Sequence, residues 1–155
     1  MSCAAIMTKS PPTIRDNASV ADAAGALVAQ RQMNLPVVDG DGHYAGMFGI
    51  GDLLSLLVPR VALAGNLMAN LRFIGDDPEQ LRRKFQEVKN LRVADVADRN
   101  AAALDPETSE IEAIRLICRN PSALPVVEKE SRKVVGMISC GDAIRAIVGS
   151  ASGPE

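Results

Sequence analysis

The 155-residue sequence predicts an α+β fold. Two β-α-β-β-α repeats pack on each other with pseudo-twofold symmetry through their small sheets, and a helical linker joins them. Three observations predict this. The chain repeats its own phrases in order: Ser19-Val20-Ala21-Asp22-Ala23 is echoed by Ser109-Glu110-Ile111-Glu112-Ala113, Leu35-Pro36-Val37-Val38 recurs as Leu124-Pro125-Val126-Val127, Gly46-Met47 as Gly136-Met137, and Gly51-Asp52 as Gly141-Asp142. The offsets run 90, 89, 90 and 90, so single-residue changes fall in loops, as a duplicated structural unit requires. Each copy also switches between helical and strand periodicity in the same order. Finally, a unit of roughly 55–60 residues buries too little surface to stand alone, so the two copies must share a core.

The elements follow in order. Pro12-Thr13-Ile14 and Ala102-Ala103-Leu104 are short extended segments. Ser19 with Asp22 and Ser109 with Glu112 are capping boxes that open a helix in each copy. Val20, Ala23, Ala24, Leu27 and Val28 form the apolar stripe of the first helix; Ile111, Ile114, Ile117 and Cys118 form that of the second, with Cys118 read as a small core residue. The strand Leu35 to Val38 follows, its proline near the start, where a missing N–H is tolerated. Asp39-Gly40-Asp41-Gly42 is turn chemistry leading to a strand near Ala45 to Ile50, and His43 is a solvated turn residue. The second copy turns through Glu128 to Lys133 into Val134 to Ser139. A last helix starts at Asp52 or Asp142 and stops before Pro59 or near Gly149. Residues 1–58 are thus a first repeat, 59–91 the linker, 92–149 a second repeat and 150–155 a frayed tail. In the linker, Asp77-Pro78-Glu79-Gln80 reads as an N-cap, a proline at the first helical position and an acidic first turn; Leu81, Phe85 and Val88 share a face. Arg82-Arg83-Lys84 reads as a solvated face, and Leu63 to Ile74 as a further helix.

Composition narrows the function. Hydrophobic residues make up 47% and charged residues 23%, a globular balance, with no tryptophan and a core that must be aliphatic. A net charge of −2 with mixed signs argues against nucleic acid. No apolar run is long enough to span a bilayer, and the opening residues lack a signal-peptide pattern, so no membrane role and a cytoplasmic location are expected. Cys3, Cys118 and Cys140 form no CxxC pair, and one histidine completes a poor ligand set, so neither a disulfide framework nor a metal site is expected. Cys140 beside Ser139 and Asp142 would need a base to act as a nucleophile, and His43 lies in the other repeat's turn. The chain is therefore expected not to be an enzyme.

The order Ile6-Met7-Thr8, a capped helix, LPVVD, and then a glycine, two apolar residues, a serine, two variable residues and an aspartate resembles the cystathionine-β-synthase (CBS) domain. Two copies resemble a tandem CBS pair, or Bateman module, over nearly the whole chain outside the linker and tail. The resemblance implies the same repeats, two clefts between them, adenosine-containing ligands such as AMP, ADP, ATP or S-adenosylmethionine, and a homodimer formed through helices. It implies no required cofactor and a regulated protein partner that remains to be identified.

The phrase Gly136-Met137-Ile138-Ser139-Cys140-Gly141-Asp142 carries the implied site, and its residues suit the chemistry. A helix N-terminus offers free N–H groups and a positive dipole end to a phosphate. Ser139 can donate to a phosphate oxygen, Asp142 can accept from vicinal ribose hydroxyls, and Gly141 and Cys140 form the loop between them. In the family the adenine slot comes partly from the segment before the repeat's first strand, here Asp98 to Ala103, and partly from the approach to the LPVV strand. The first copy keeps Asp52 but has Gly49 where the second has Ser139, so the main site is expected at the second motif. Asp98 stands where the first copy has Thr8 and is expected to disfavour phosphate in the second cleft. The site residues so implied are Ser139, Cys140, Gly141, Asp142, Asp52 and Ala103. The expected function is a regulatory module that senses an adenosine nucleotide. The alternative is a non-catalytic dimerisation scaffold with vestigial clefts.

Overall fold

A computed structural model describes residues 2–58, 78–120 and 122–152. A short 3-10 turn (Cys3–Ala5) leads to β1 (Thr8–Lys9), β2 (Ile14–Arg15), α1 (Val20–Ala29), β3 (Asn34–Val38), β4 (Tyr44–Gly49) and α2 (Ile50–Leu57). Beyond the linker come α3 (Pro78–Val88), α4 (Val93–Val96), α5 (Glu110–Arg119), β5 (Leu124–Val127), β6 (Val134–Ile138) and α6 (Cys140–Ser152). The expected helix over Leu63 to Ile74 lies outside the described residues. So does Asp77, the expected cap of α3.

Two three-stranded sheets result, in the orders β2-β3-β4 and β1-β6-β5. In the first, β3 pairs antiparallel with β4, placing Pro36 opposite Met47. On its other side β3 meets β2 only at Val37 and Val38. Pro36 therefore sits in a central strand at a point where no second neighbour asks for its missing N–H. The second sheet repeats the device: Pro125 lies opposite Met137, and Leu104 bridges Val126 in parallel.

The helices are narrower in their burial than their apolar periodicity suggests. The Ser19 capping box forms in full, and Val20, Ala23 and Leu27 of α1 are buried, but Val28 is 79% exposed. In α5, Ser109 accepts from the Glu112 amide, and Ala113 and Ile117 are buried. Ile111 is 68% exposed and Cys118 is exposed, so Cys118 is not the core residue expected of it. These two-layer repeats bury only the middle of each stripe, because each helix covers a sheet of three short strands. In α3, Leu81 and Phe85 are half-buried and Val88 buried, while Arg82, Arg83 and Lys84 are exposed. α6 runs three residues past Gly149. His43 is half-exposed and bridges Lys133, so its turn joins the two repeats.

The core is exchanged between the repeats. One cluster joins Leu104, Ala113, Ile117, Leu124, Val126 and Ile138 of the second repeat to Cys3 from the chain's start. The other joins Val20, Ala23, Leu27, Leu35, Val37 and Phe48 of the first to Val93. Backbone bonds hold each guest segment: the Cys3 amide donates to the Thr108 carbonyl at 2.7 Å, and the Val93 amide to the Ala18 carbonyl at 2.8 Å. The pairing is symmetric. Thr8 lies opposite Met137 in β6, and Asp98, ninety residues on, lies opposite Met47 in β4.

Candidate ligand site

The exchange builds the clefts. Met47 and Asp98 trade both backbone hydrogen bonds, at 3.0 and 2.8 Å, which seats the Asp98–Ala102 segment against the end of β4. A cleft of about 610 Å³ opens there, lined among others by Gly49, Gly51, Asp52, Asp98, Asn100 and Asn34. Residues 120 and 122–125 close its far side, so both repeats contribute to its walls. Its volume falls within the range of small-molecule sites.

Asp52 and Asp142 do not begin their helices. α2 starts at Ile50 and α6 at Cys140, which puts each aspartate at the third helical position rather than the cap. From there the side chain reaches back: Asp52 Oδ2 accepts from the Gly49 amide at 2.8 Å, and Asp142 Oδ2 from the Ser139 amide at 2.8 Å. At Asp52 this is one half of a capping box; at Asp142 the box is complete, since the Asp142 amide donates to Ser139 Oγ at 3.2 Å. Cys140 and Gly141, expected in a loop, are the first two residues of α6.

The two aspartates then differ. Asp142 is 5% exposed and saturated. Its Oδ1 accepts from Thr8 Oγ1 at 3.0 Å and from Arg145 Nη2 at 3.2 Å, and its Oδ2 takes the Ser139 hydroxyl at 2.9 Å. The cleft beside it, lined by Ala5, Ile6, Asp142, Arg145 and Ala146, measures about 230 Å³. Around Asp52 each of those donors is replaced at the equivalent position: Gly49 for Ser139, Ser55 for Arg145, Asp98 for Thr8. Ser55 spends its hydroxyl on the Gly51 carbonyl. Burial, and then the nearby Asp98 charge, hold the Asp52 carboxyl above the usual carboxylate range.

Asp98 thus belongs to the first motif's cleft, not the second's, and Thr8 to the second's. The larger cleft is likewise at Gly49–Asp52, whereas the sequence pointed to Ser139–Asp142. Ala103 is exposed; its neighbours Ala101 and Ala102 are the ones that line the larger cleft. Two contributors were not singled out from the sequence, although Asn34 lies in the approach to LPVV expected to help form the adenine slot. Asn34 is 8% exposed; its Nδ2 donates to the Ala123 carbonyl at 2.9 Å, and among the described residues its Oδ1 has no partner. A polar residue just before an apolar strand, where the second copy has Ala123, was the signal for it. Arg145, three residues after Asp142, carried no motif signal.

Asp39, Asp41 and His43 bring their ligand atoms within 4.8 Å of one another. Asp39 Oδ1 already accepts from the Asp41 and His43 amides, both at 2.9 Å, which is the hydrogen bonding of the turn itself. Among the described residues no helix is long and apolar enough to cross a membrane.

The family model described as CBS domain matches residues 3–59 and 93–149. A CBS domain-containing protein of Dictyostelium discoideum is 25% identical over 144 residues, covering 92% of this chain and 88% of the relative. Among solved structures, the CBS-pair protein CBSX2 of Arabidopsis thaliana superposes with a TM-score of 0.78 at 21% identity, over 99% of this chain and 98% of that one. The same protein in complex with AMP gives 0.71 at 22% identity, over 97% and 98%. The CBS domain pair of protein MJ0100, in complex with 5′-methylthioadenosine and S-adenosyl-L-methionine, gives 0.64 at 19% identity, over 95% and 99%.

Proposed function

The chain belongs to the CBS domain family as a tandem pair, and from that premise we propose that it is a regulatory, non-catalytic module that senses an adenosine compound in the clefts between its repeats. The observation that carries this reading is the 610 Å³ cleft at a strand-to-helix junction, walled by both repeats, with an aspartate at its lip. A ligand there touches both halves at once. Asp52 is placed to accept from two ribose hydroxyls, and Asp142 plays that part in the smaller cleft after giving up a bond to Thr8 or Arg145. Ser139, Cys140 and Gly141 lead into Asp142, while the smaller cleft itself is lined by Ala5, Ile6, Asp142, Arg145 and Ala146. The geometry favours the Asp52 cleft as the main site. Binding acts on a partner or on the dimer only as far as the ligand prefers one state over another.

Calorimetry and thermal unfolding against AMP, ADP, ATP and S-adenosylmethionine test the reading. A bound ligand at a hundredfold excess over its Kd stabilises the fold by about 2.7 kcal/mol. Asp52→Ala should weaken the binding. No shift with any of the four compounds sinks the proposal.

A second reading, a dimerisation scaffold, is favoured by one observation. Ile144, Ile147 and Val148 of α6 are each more than half exposed, and Ile111 of α5 is also bare. Apolar faces of this kind mark association surfaces. Sedimentation with and without nucleotide separates the readings: a dimer whose mass and partner binding ignore every ligand supports the scaffold, and a ligand-dependent mass supports the sensor.

A further inference from the structure

We propose that the larger cleft selects an adenosine compound that carries no phosphate, and that Asp98 sets this preference. The inference rests on the adenosine-sensing reading and specifies its ligand.

The donors that satisfy Asp142 are Thr8, Ser139 and Arg145. At the equivalent positions around Asp52 stand Asp98, Gly49 and Ser55. Two of the exchanges remove a hydrogen-bond donor, the third leaves a hydroxyl that donates to the Gly51 carbonyl instead of the aspartate, and one adds a second carboxylate. Among the described residues that line it, polar chemistry comes from Asp52, Asp98, Asn34, Asn100, Asn120 and Ser122, with no lysine or arginine. Asn34 adds an amide oxygen that is buried without a partner among the described residues, in the same wall. An unmet buried acceptor is costly and calls for a donor.

One feature favours an anion. α2 begins without a side-chain cap, so its N-terminus presents backbone N–H groups and about half a positive charge. Two carboxylates at the same cleft outweigh that half charge. A phosphate placed there meets net repulsion, in a site where partial desolvation strengthens it. Hydroxyls and amines meet acceptors. The occupant is therefore an uncharged nucleoside, or a cationic adenosine derivative, that donates hydrogen bonds. The smaller cleft differs in kind, because Arg145 lines it and both Arg145 and Thr8 donate to its aspartate, Asp142.

The test is calorimetric titration of the full chain with adenosine, S-adenosylmethionine and AMP. Four proteins are compared: wild type, Asp98→Thr, Asp98→Asn and Ala102→Trp. Ala102 is exposed and lines the larger cleft, so tryptophan there obstructs the cleft while leaving the core untouched. Adenosine or S-adenosylmethionine should bind the wild type, and Ala102→Trp should abolish that binding. Asp98→Thr and Asp98→Asn should each tighten AMP relative to adenosine by about tenfold. Salt screens the repulsion, so AMP binding should rise with salt in the wild type more than in the variants. Circular dichroism checks that each variant is folded, and the asparagine variant keeps the test open if threonine perturbs the segment. AMP binding the larger cleft as tightly as adenosine, or an AMP-to-adenosine ratio unmoved in both Asp98 variants, overturns the preference while leaving the adenosine reading intact. Failure of all three compounds to bind any of the four proteins overturns both.

Discussion

Gly46 and Gly136 occupy equivalent places for the same steric reason. A Cβ at Gly46 would lie 2.6 Å from the Asp98 carbonyl oxygen, and one at Gly136 would collide with Met7 and sit 3.0 Å from the Thr8 carbonyl. Gly46 also holds φ at 142°, a region that only glycine enters without strain. Each glycine admits the backbone of the crossing segment, so the repeated Gly-Met phrase records the exchange of segments. Gly25 is the contrast, exposed in α1 with nothing within 4 Å of its would-be Cβ. Gly46→Ala should lower stability by about 1–3 kcal/mol, as overpacking against backbone does. Gly25→Ala should raise it by roughly 0.5–1 kcal/mol, by removing unfolded-state freedom. Urea unfolding of the two variants measures both signs, and a neutral Gly46→Ala would refute the steric account. The glycines were legible in the sequence as a repeat. What they touch was not, because the contact lies half a chain away.

At the scale of elements, strands and caps were readable because their signals are local. The LPVV strands are apolar at every position; Ser19 closes the expected capping box in full, and Ser109 forms the serine half of its own. The helix starts were misplaced by two residues. An aspartate directly after glycine reads as a helix start, but the same residue at the third position makes the reciprocal bond of a capping box, and either arrangement suits the sequence. The correction has an electrostatic consequence. At the third position Asp52 is partly buried and faces Asp98, and its pKa is raised, chiefly by burial. A carboxyl whose folded pKa exceeds its unfolded value holds its proton more tightly when folded. Its effect on stability therefore declines as pH rises through the window above the ordinary value of 3.8. Asp98→Asn removes the smaller cause and leaves the burial. Carboxyl ¹³C titration should then find Asp52 above the usual carboxylate range in the wild type and lower in the variant, though still raised. The Tyr44 phenol, pushed up to about 12 by burial and then by Asp98, should fall in the same variant by ultraviolet titration. An Asp52 midpoint unmoved by Asp98→Asn would mean that the two carboxylates do not sense each other.

At the scale of the whole molecule, the exchanged segments predict a single folding unit. Two copies with the same order of elements can pair each leading segment with its own sheet or with the other's, and local patterns are the same either way. Only the assembled chain distinguishes the two, which is why Asp98 was assigned to the wrong cleft from sequence. In the structure, Val93 is fully buried in the first repeat's core and Cys3 in the second's. The sheets are stitched further where the Tyr44 amide donates to the Arg132 carbonyl at 2.8 Å and Asn34 donates to Ala123. Neither core is complete until the other repeat's leading segment arrives, so neither repeat should unfold and leave the other intact. Calorimetry should accordingly give one transition, with calorimetric and van't Hoff enthalpies equal. Val93→Ala empties two buried methyl positions and should cost about 1–3 kcal/mol. Because its site is shared, it should lower the midpoint of the single transition instead of splitting off an early melt of the first repeat. Two resolved transitions in the wild type, or an early partial melt in Val93→Ala, would show that the repeats fold independently. They would also remove the mechanical basis for a ligand in one cleft to be felt in both halves.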